Sequence, residues 1–142
     1  MEPTLSLWDS LKNNYFFKKA ELTILSPGYD NIPESTLKMK RVRVVGGLGF
    51  KDMLAEIASS KSMFYVNTMP ETFGISPVMA EIVGTTPNVL CLNGAGALSE
   101  VLATPAVVSD TELFIKNCSS LVVSEPKNFR ASKIMNDWME IL

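Results

Sequence analysis

Hydrophobic positions in this chain recur at two different periods, and the period changes at glycine-containing turns. Over residues 5–19, Leu7, Trp8, Leu11 and Tyr15 fall at helical spacing, with Lys18 and Lys19 where a helix dipole favours cations. That spacing predicts a helix. Residues 21–26 form a short β-rich run stopped by Pro27 and Gly28, and residues 40–45 set Arg41 and Arg43 outward against Val42 and Val44. Both are predicted strands. Gly46, Gly47, Leu48 and Gly49 then break the chain ahead of Phe50, Met53, Leu54, Ile57 and Ala58, which share one helical face. A strand over 62–66 leads into a loop over 67–74 and a helix that ends near Gly84, with Ser76 as its N-cap and Pro77 at its first position. Further strands are predicted over 87–92, 106–108 and 120–123, with a turn at Asn93, Gly94, Ala95 and Gly96 and a short helical stretch over 98–102. A terminal helix over 129–142 places Ile134, Trp138 and Ile141 on one side. The alternation of strand, turn and helix predicts an α/β fold, a Rossmann-like three-layer sandwich around a mostly parallel sheet, as one domain over residues 1–142. Such a sheet binds ligands at the carboxyl ends of its strands.

Composition then narrows the chemistry. With 142 residues, 46% hydrophobic and 20% charged, the chain has the balance of a soluble domain with one core. It contains no histidine, which excludes Ser/His/Asp and Cys/His catalysis and imidazole metal sites within it. A net charge of -2 without any Lys/Arg run argues against nucleic acid as a partner. Cys91 and Cys118 lack the spacing of a zinc or redox motif and read as buried free thiols of a reducing compartment. Apolar runs fall short of the roughly 20 residues of a membrane span, and Glu2, Pro3 and Asp9 do not fit a secretion signal, so a cytoplasmic location is expected. From residue 62 to residue 115 there are acids (Glu71, Glu81, Glu100, Asp110 and Glu112) and no Lys or Arg. A phosphate held in that stretch must therefore rely on backbone N–H groups.

The run Pro70, Glu71, Thr72, Phe73, Gly74, Ile75, Ser76, Pro77 lies between the end of a predicted strand and the start of a predicted helix. Orphan amides of a helix's first turn, with the positive end of the dipole, can hold a diphosphate without a basic side chain. Gly74 permits close approach of backbone to ligand, and Glu71 can accept hydrogen bonds from sugar hydroxyls. Taken alone, the same residues fit a surface turn with a solvated glutamate and a helix cap equally well.

Together with Gly84, Pro87 and the later run Gly94, Ala95, Gly96, Ala97, Leu98, Ser99, Glu100, this loop resembles the carboxyl-terminal, nucleotide-sugar-binding domain of the retaining glycosyltransferases of family 4. Those enzymes have the two-domain GT-B fold, of which this chain would be the C-terminal half. The resemblance is sharpest over residues 64–102. It implies that Glu71 is the catalytic carboxylate near the reacting carbon of the donor sugar, and that Thr72, Phe73, Gly74, Ile75 and Ser76 bind sugar and distal phosphate. It also implies that Gly47 and Leu48, in the glycine turn over 46–49, line the nucleobase. Gly96 and Glu100 match a later Gly and Glu of the family, and Glu100 fits a carboxylate at a helix start.

The departures are equally specific. Met79 stands where the family carries a ribose-binding glutamate, and Glu81, a candidate substitute, lies ~200° around a helix from it. Thr72 replaces a glycine, and Thr85, Thr86, Pro87 is one residue longer than the family's Gly-x-Pro. The family's first strand, its Arg/Lys pair for the diphosphate and its amino-terminal acceptor domain precede the matched region. The expected function is thus donor binding, with UDP- or GDP-sugar as substrate, no cofactor and no metal, and no transfer by this chain acting alone. A non-catalytic module that self-associates as a homodimer through the sheet edge left by the missing strand is the competing expectation. An unrelated nucleotide-binding Rossmann domain fits less well, because the glycines over 46–49 lack the Gly-x-Gly-x-x-Gly spacing.

Overall fold

The structure, a computed structural model, describes residues 2–26, 32–69, 74–103 and 107–120. In chain order these residues form α1 (Glu2–Leu11), a 3-10 turn (Tyr15–Phe17), β1 (Leu22–Ser26), α2 (Glu34–Leu37), β2 (Val42–Gly46) and α3 (Phe50–Ser59). They continue through β3 (Ser62–Asn67), α4 (Ile75–Ile82), β4 (Thr86–Cys91), α5 (Leu98–Val101), β5 (Val107–Val108) and α6 (Thr111–Ser120). The fold is α/β and every strand pairing is parallel. Among the described residues the sheet comes in two parts, β1–β2 and β3–β4–β5.

The second part is the centre of the molecule. All residues of β4 are buried, as expected for a parallel strand covered on both faces. Its alternate side chains serve two cores. Leu90 packs with Leu7, Trp8 and Leu11 of α1 and with Phe114 and Cys118 of α6, whereas Val89 and Cys91 pack with Val78 of α4 and with Leu98 and Leu102. Phe64 of β3 stacks edge-on against both Phe17 and Phe114, at centroid distances of 6.2 and 5.7 Å. Helices therefore cover both faces of β3–β4–β5, which makes the arrangement Rossmann-like. Polar groups carried inward with β4 are paired: Asn88 Nδ2 donates to Ser62 Oγ at 2.5 Å, and Thr85 Oγ1, at the strand's entry, donates to Ile57 O of α3 at 2.6 Å.

Several predicted boundaries move for identifiable reasons. The helix predicted over 5–19 ends at Leu11, because the Asn14 side chain accepts a bond from Phe16 N (3.2 Å) and caps the separate 3-10 turn. Arg41 does not point outward from a strand. It precedes β2 at φ 61, donates to Lys12 O, Phe17 O and Lys18 O at 2.5–2.9 Å, and lies 5.8 Å from the Trp8 ring centroid. One guanidinium thus ties the end of α1 to the start of β2. Helix α6 was not predicted; Asp110 Oδ1 accepts from Leu113 N at 2.7 Å at its start, and Ser120, expected in a strand, is its last residue. The rest of the strand predicted over 120–123 and the helix predicted over 129–142 lie outside the described residues.

Candidate functional site

Three loops leave the carboxyl ends of β2, β3 and β4, and the sequence-predicted site residues are divided between the first two. After β3, the Asn67 carbonyl accepts from Leu92 N (3.0 Å) and its side chain accepts from Met69 N (3.0 Å). Asn93 Nδ2 donates to Thr68 O at 2.8 Å, so the loops following β3 and β4 are fastened to each other. Glu71, Thr72 and Phe73 lie outside the described residues. The chain is described again at Gly74, which is buried.

Gly74, rather than Ser76, is the N-cap of α4, and it adopts left-handed geometry at φ 73, ψ 58 without a side-chain capping bond. A side chain with a Cβ rarely takes that conformation, so the glycine lets the chain turn directly from loop into helix. Two corrections follow from the earlier start. Had Ser76 been the N-cap, Met79 would have stood at the third helical position, where a Glu completes a capping box; instead Pro77 is the third helical residue and Met79 the fifth. The Val78 amide already bonds to Gly74 O at 3.2 Å, and Pro77 has no N–H, so the helix start presents the amides of Gly74, Ile75 and Ser76. Ile75 and Ser76 are exposed, and no acidic side chain occupies the first turn.

Along α4, Pro77, Val78, Ala80 and Glu81 are buried, whereas Ile75 and Ile82 are exposed and Met79 is half-buried between them. Met79 therefore shares the outer ridge of the helix with the exposed first turn. Glu81 does not. It points inward, where both carboxylate oxygens accept from Ala103 N at 3.1 Å. Its carboxylate ties α4 to the segment after α5, on the side of the helix away from Met79, as the ~200° between the two positions anticipates.

At the end of β2, Gly47 is exposed at φ 68 with open space around its Cβ position, and Leu48 is 36% exposed. Gly49 is the N-cap of α3. These positions share the carboxyl side of the strands with α4 but belong to the other sheet part, so no hydrogen bond in the described ladders joins the two predicted subsites. Glu100 lies in the first turn of α5, as its reading at a helix start anticipated.

Displaced titrations occur elsewhere. The hydrogen bond from Arg43 holds the Glu56 carboxyl below its ordinary range, and the same bond raises the Arg43 guanidinium. Burial pushes the Cys118 thiol up to about 12, keeping it neutral and unreactive. Sequence reasoning also missed a groove of about 970 Å³, bordered by β1, β3 and the last turn of α6, which none of the predicted site residues lines. Its only sequence signal is the pair of β-rich runs, 22–26 and 62–67, that frame it. Among the described residues there is no cluster of three or more His, Cys, Asp or Glu suited to a metal ion, and no helix long and apolar enough to cross a membrane. No family model matches the chain, and no curated protein or solved structure matches it.

Proposed function

We propose that the chain is the donor-binding half of a retaining glycosyltransferase, acting in the cytoplasm on a UDP- or GDP-sugar and completed by an acceptor domain that residues 1–142 do not supply. One observation carries this reading: at the carboxyl end of β3, α4 begins with Ile75 and Ser76 exposed and with no side-chain capping bond among the described residues. First-turn amides so arranged, with the dipole behind them, are suited to a diphosphate, and the surrounding stretch has no cation to compete with them. Glu71, Thr72 and Phe73 come from the resemblance, with Glu71 as the carboxylate beside the reacting carbon. Gly47 and Leu48 take the base. The chemistry needs no metal, because backbone N–H groups carry the phosphate charge. Without an acceptor half to exclude water and orient the nucleophile, the chain binds donor and does not transfer.

The test is at Met79. A carboxylate on the outer ridge of α4 can accept hydrogen bonds from ribose hydroxyls, which a thioether cannot do. Met79→Glu is expected to tighten UDP or GDP binding by ~10-fold, about the worth of one recovered charge-assisted bond. The position is past the capping box, so stability should stay nearly constant. Calorimetric titration of both proteins with the same nucleotide reads the difference, and unchanged affinity in a folded variant would remove the ribose assignment.

A further inference from the structure

The strands β1 and β3 border one groove of about 970 Å³ and are not hydrogen-bonded to each other. The phase of the existing ladders shows which backbone groups face it. Leu22 N donates to Arg41 O at 2.9 Å, and Ser26 O accepts from Gly47 N at 3.3 Å. Leu22, Ile24 and Ser26 therefore turn their peptide groups toward β2, and by alternation Thr23 and Leu25 turn theirs toward the groove. In β3, Asn67 O accepts from Leu92 N at 3.0 Å. Met63, Tyr65 and Asn67 address β4, which leaves Ser62 and Phe64, both of which line the groove, addressing it. Two strand edges, each offering donors and acceptors at alternate residues, thus flank a gap that no strand fills among the described residues. Arg43, near the start of β2, bonds Glu56 near the end of α3, and Thr85, at the entry to β4, bonds the neighbouring Ile57 O. Helix α3 thus runs back along β2 to the amino-terminal ends of β3 and β4, and with parallel pairing on both sides β1 and β3 run in the same sense.

The walls specify an occupant. Trp8, Phe17 and Cys118 line the groove with apolar surface, and Ile57 and Thr85 line it from α3 and the entry to β4. Trp8 is 2% exposed, and its Nε1–H has no acceptor among the described residues. At the amino-terminal ends of the strands the groove carries Lys19, Lys61 and Arg43 together with Glu21 and Glu56. Arg43 pairs with Glu56 and Glu21, and the described ion pairs include neither lysine.

We infer that the groove between β1 and β3 takes one extended segment of a partner polypeptide as an added parallel strand, acidic at its amino end and alternating β-branched apolar residues with threonine. This is strand addition made on two edges at once. Five residues span roughly 17 Å at ~3.3 Å each, the length of β1. A second copy of this chain is a poor donor, because each described strand already pairs within its own sheet and would have to leave it. The inference stands on β1 and β3, not on α4, so it survives or falls independently of nucleotide binding.

The experiment is amide hydrogen exchange by NMR on the full chain, with and without the peptide acetyl-Glu-Val-Thr-Val-Thr-Val-amide and its counterpart beginning with Lys. The glutamate peptide is expected to slow exchange at Thr23, Leu25 and Phe64 by at least tenfold and to leave Leu22 and Ile24 nearly unchanged. The lysine peptide should bind several-fold more weakly. Thr23→Pro removes a donor that faces the groove while sparing the β1–β2 ladder. It should keep the urea midpoint and lose the protection at Phe64. Any of three results overturns the inference: no added protection at saturating peptide, slow exchange in the free chain that disappears on truncation after Ser120, or protection that rises with protein concentration alone. The second would make residues 121–142 the occupant, and the third a second copy.

Discussion

The strands β4 and β1 both lie in parallel ladders, yet β4 is buried at every residue whereas β1 has no buried residue at all. The difference comes from what covers them. β4 has a strand on each side and a helical layer on each face, so its alternate residues feed two cores. Among the described residues β1 has one strand neighbour and a groove on its other edge. The described residues thus form a half buried on both faces, which positions the start of α4, and a half with a sheet edge that no described strand covers. Opening free energies should be distributed accordingly, high in β3–β4–β5 and low in β1–β2.

The largest effect expected from this contrast is in the core. Phe114, fully buried against Leu90 and Phe64, should cost about 3–5 kcal/mol when replaced by alanine. Val44→Ala in the half-buried β2 should cost less than half as much. Urea unfolding of the two variants makes the comparison, and equal losses would erase the distinction between halves.

A smaller effect concerns pH and reports on the same core. The folded-state value of Cys118, about 12, lies above its ordinary 9.0, so between those values the folded chain holds a proton that the unfolded chain releases. The associated stability is complete below pH 9 and is lost as the pH climbs toward 12. Cys118→Ala should flatten that part of the stability profile relative to the parent chain. A parent and variant falling in parallel above pH 9 would mean that the thiol is not held neutral by burial.

The smallest effect belongs to the open half. Arg43 bridges Glu56 at 2.7 Å and Glu21 at 3.4 Å across exposed surface, where ion pairs contribute little. Arg43→Ala should leave the urea midpoint within the scatter of repeat measurements at neutral pH. Because Glu56 is held below its ordinary value, the pair's small contribution is present above pH ~4.5 and fades as pH falls through the lowered value. A large loss on this substitution would show that the β1–β2 half is more tightly coupled than its burial indicates.

How much of this was legible in the sequence follows from the same contrast. Period and punctuation located β1 to β4 within a few residues, because Val42 to Val45 alternate and Phe50, Met53, Leu54 and Ile57 repeat on a helical face. Local competition decided what was missed. Ser76 and Pro77 form a strong helix-start signal, yet Gly74 in left-handed geometry starts α4 earlier, and only the backbone conformation reveals it. Asp110 was a legible cap for α6, overlooked because apolar spacing there is weak. Glu81 could be read as turned away from Met79, but its bond to Ala103 depends on a tertiary contact that no spacing encodes. Of the predicted site, the α4 start and the β2 turn lie on the carboxyl side of the strands as expected, while Glu71, Thr72 and Phe73 lie outside the described residues.

The central claim is that the start of α4 holds a nucleoside diphosphate, and backbone amide shifts on titration with UDP, GDP and ADP test it most directly. The account predicts that UDP or GDP moves Gly74, Ile75 and Ser76 most, with smaller shifts at Gly47 and Leu48 and no requirement for Mg2+. Shifts confined to residues 5–26, or a response that appears only with added metal, would contradict it.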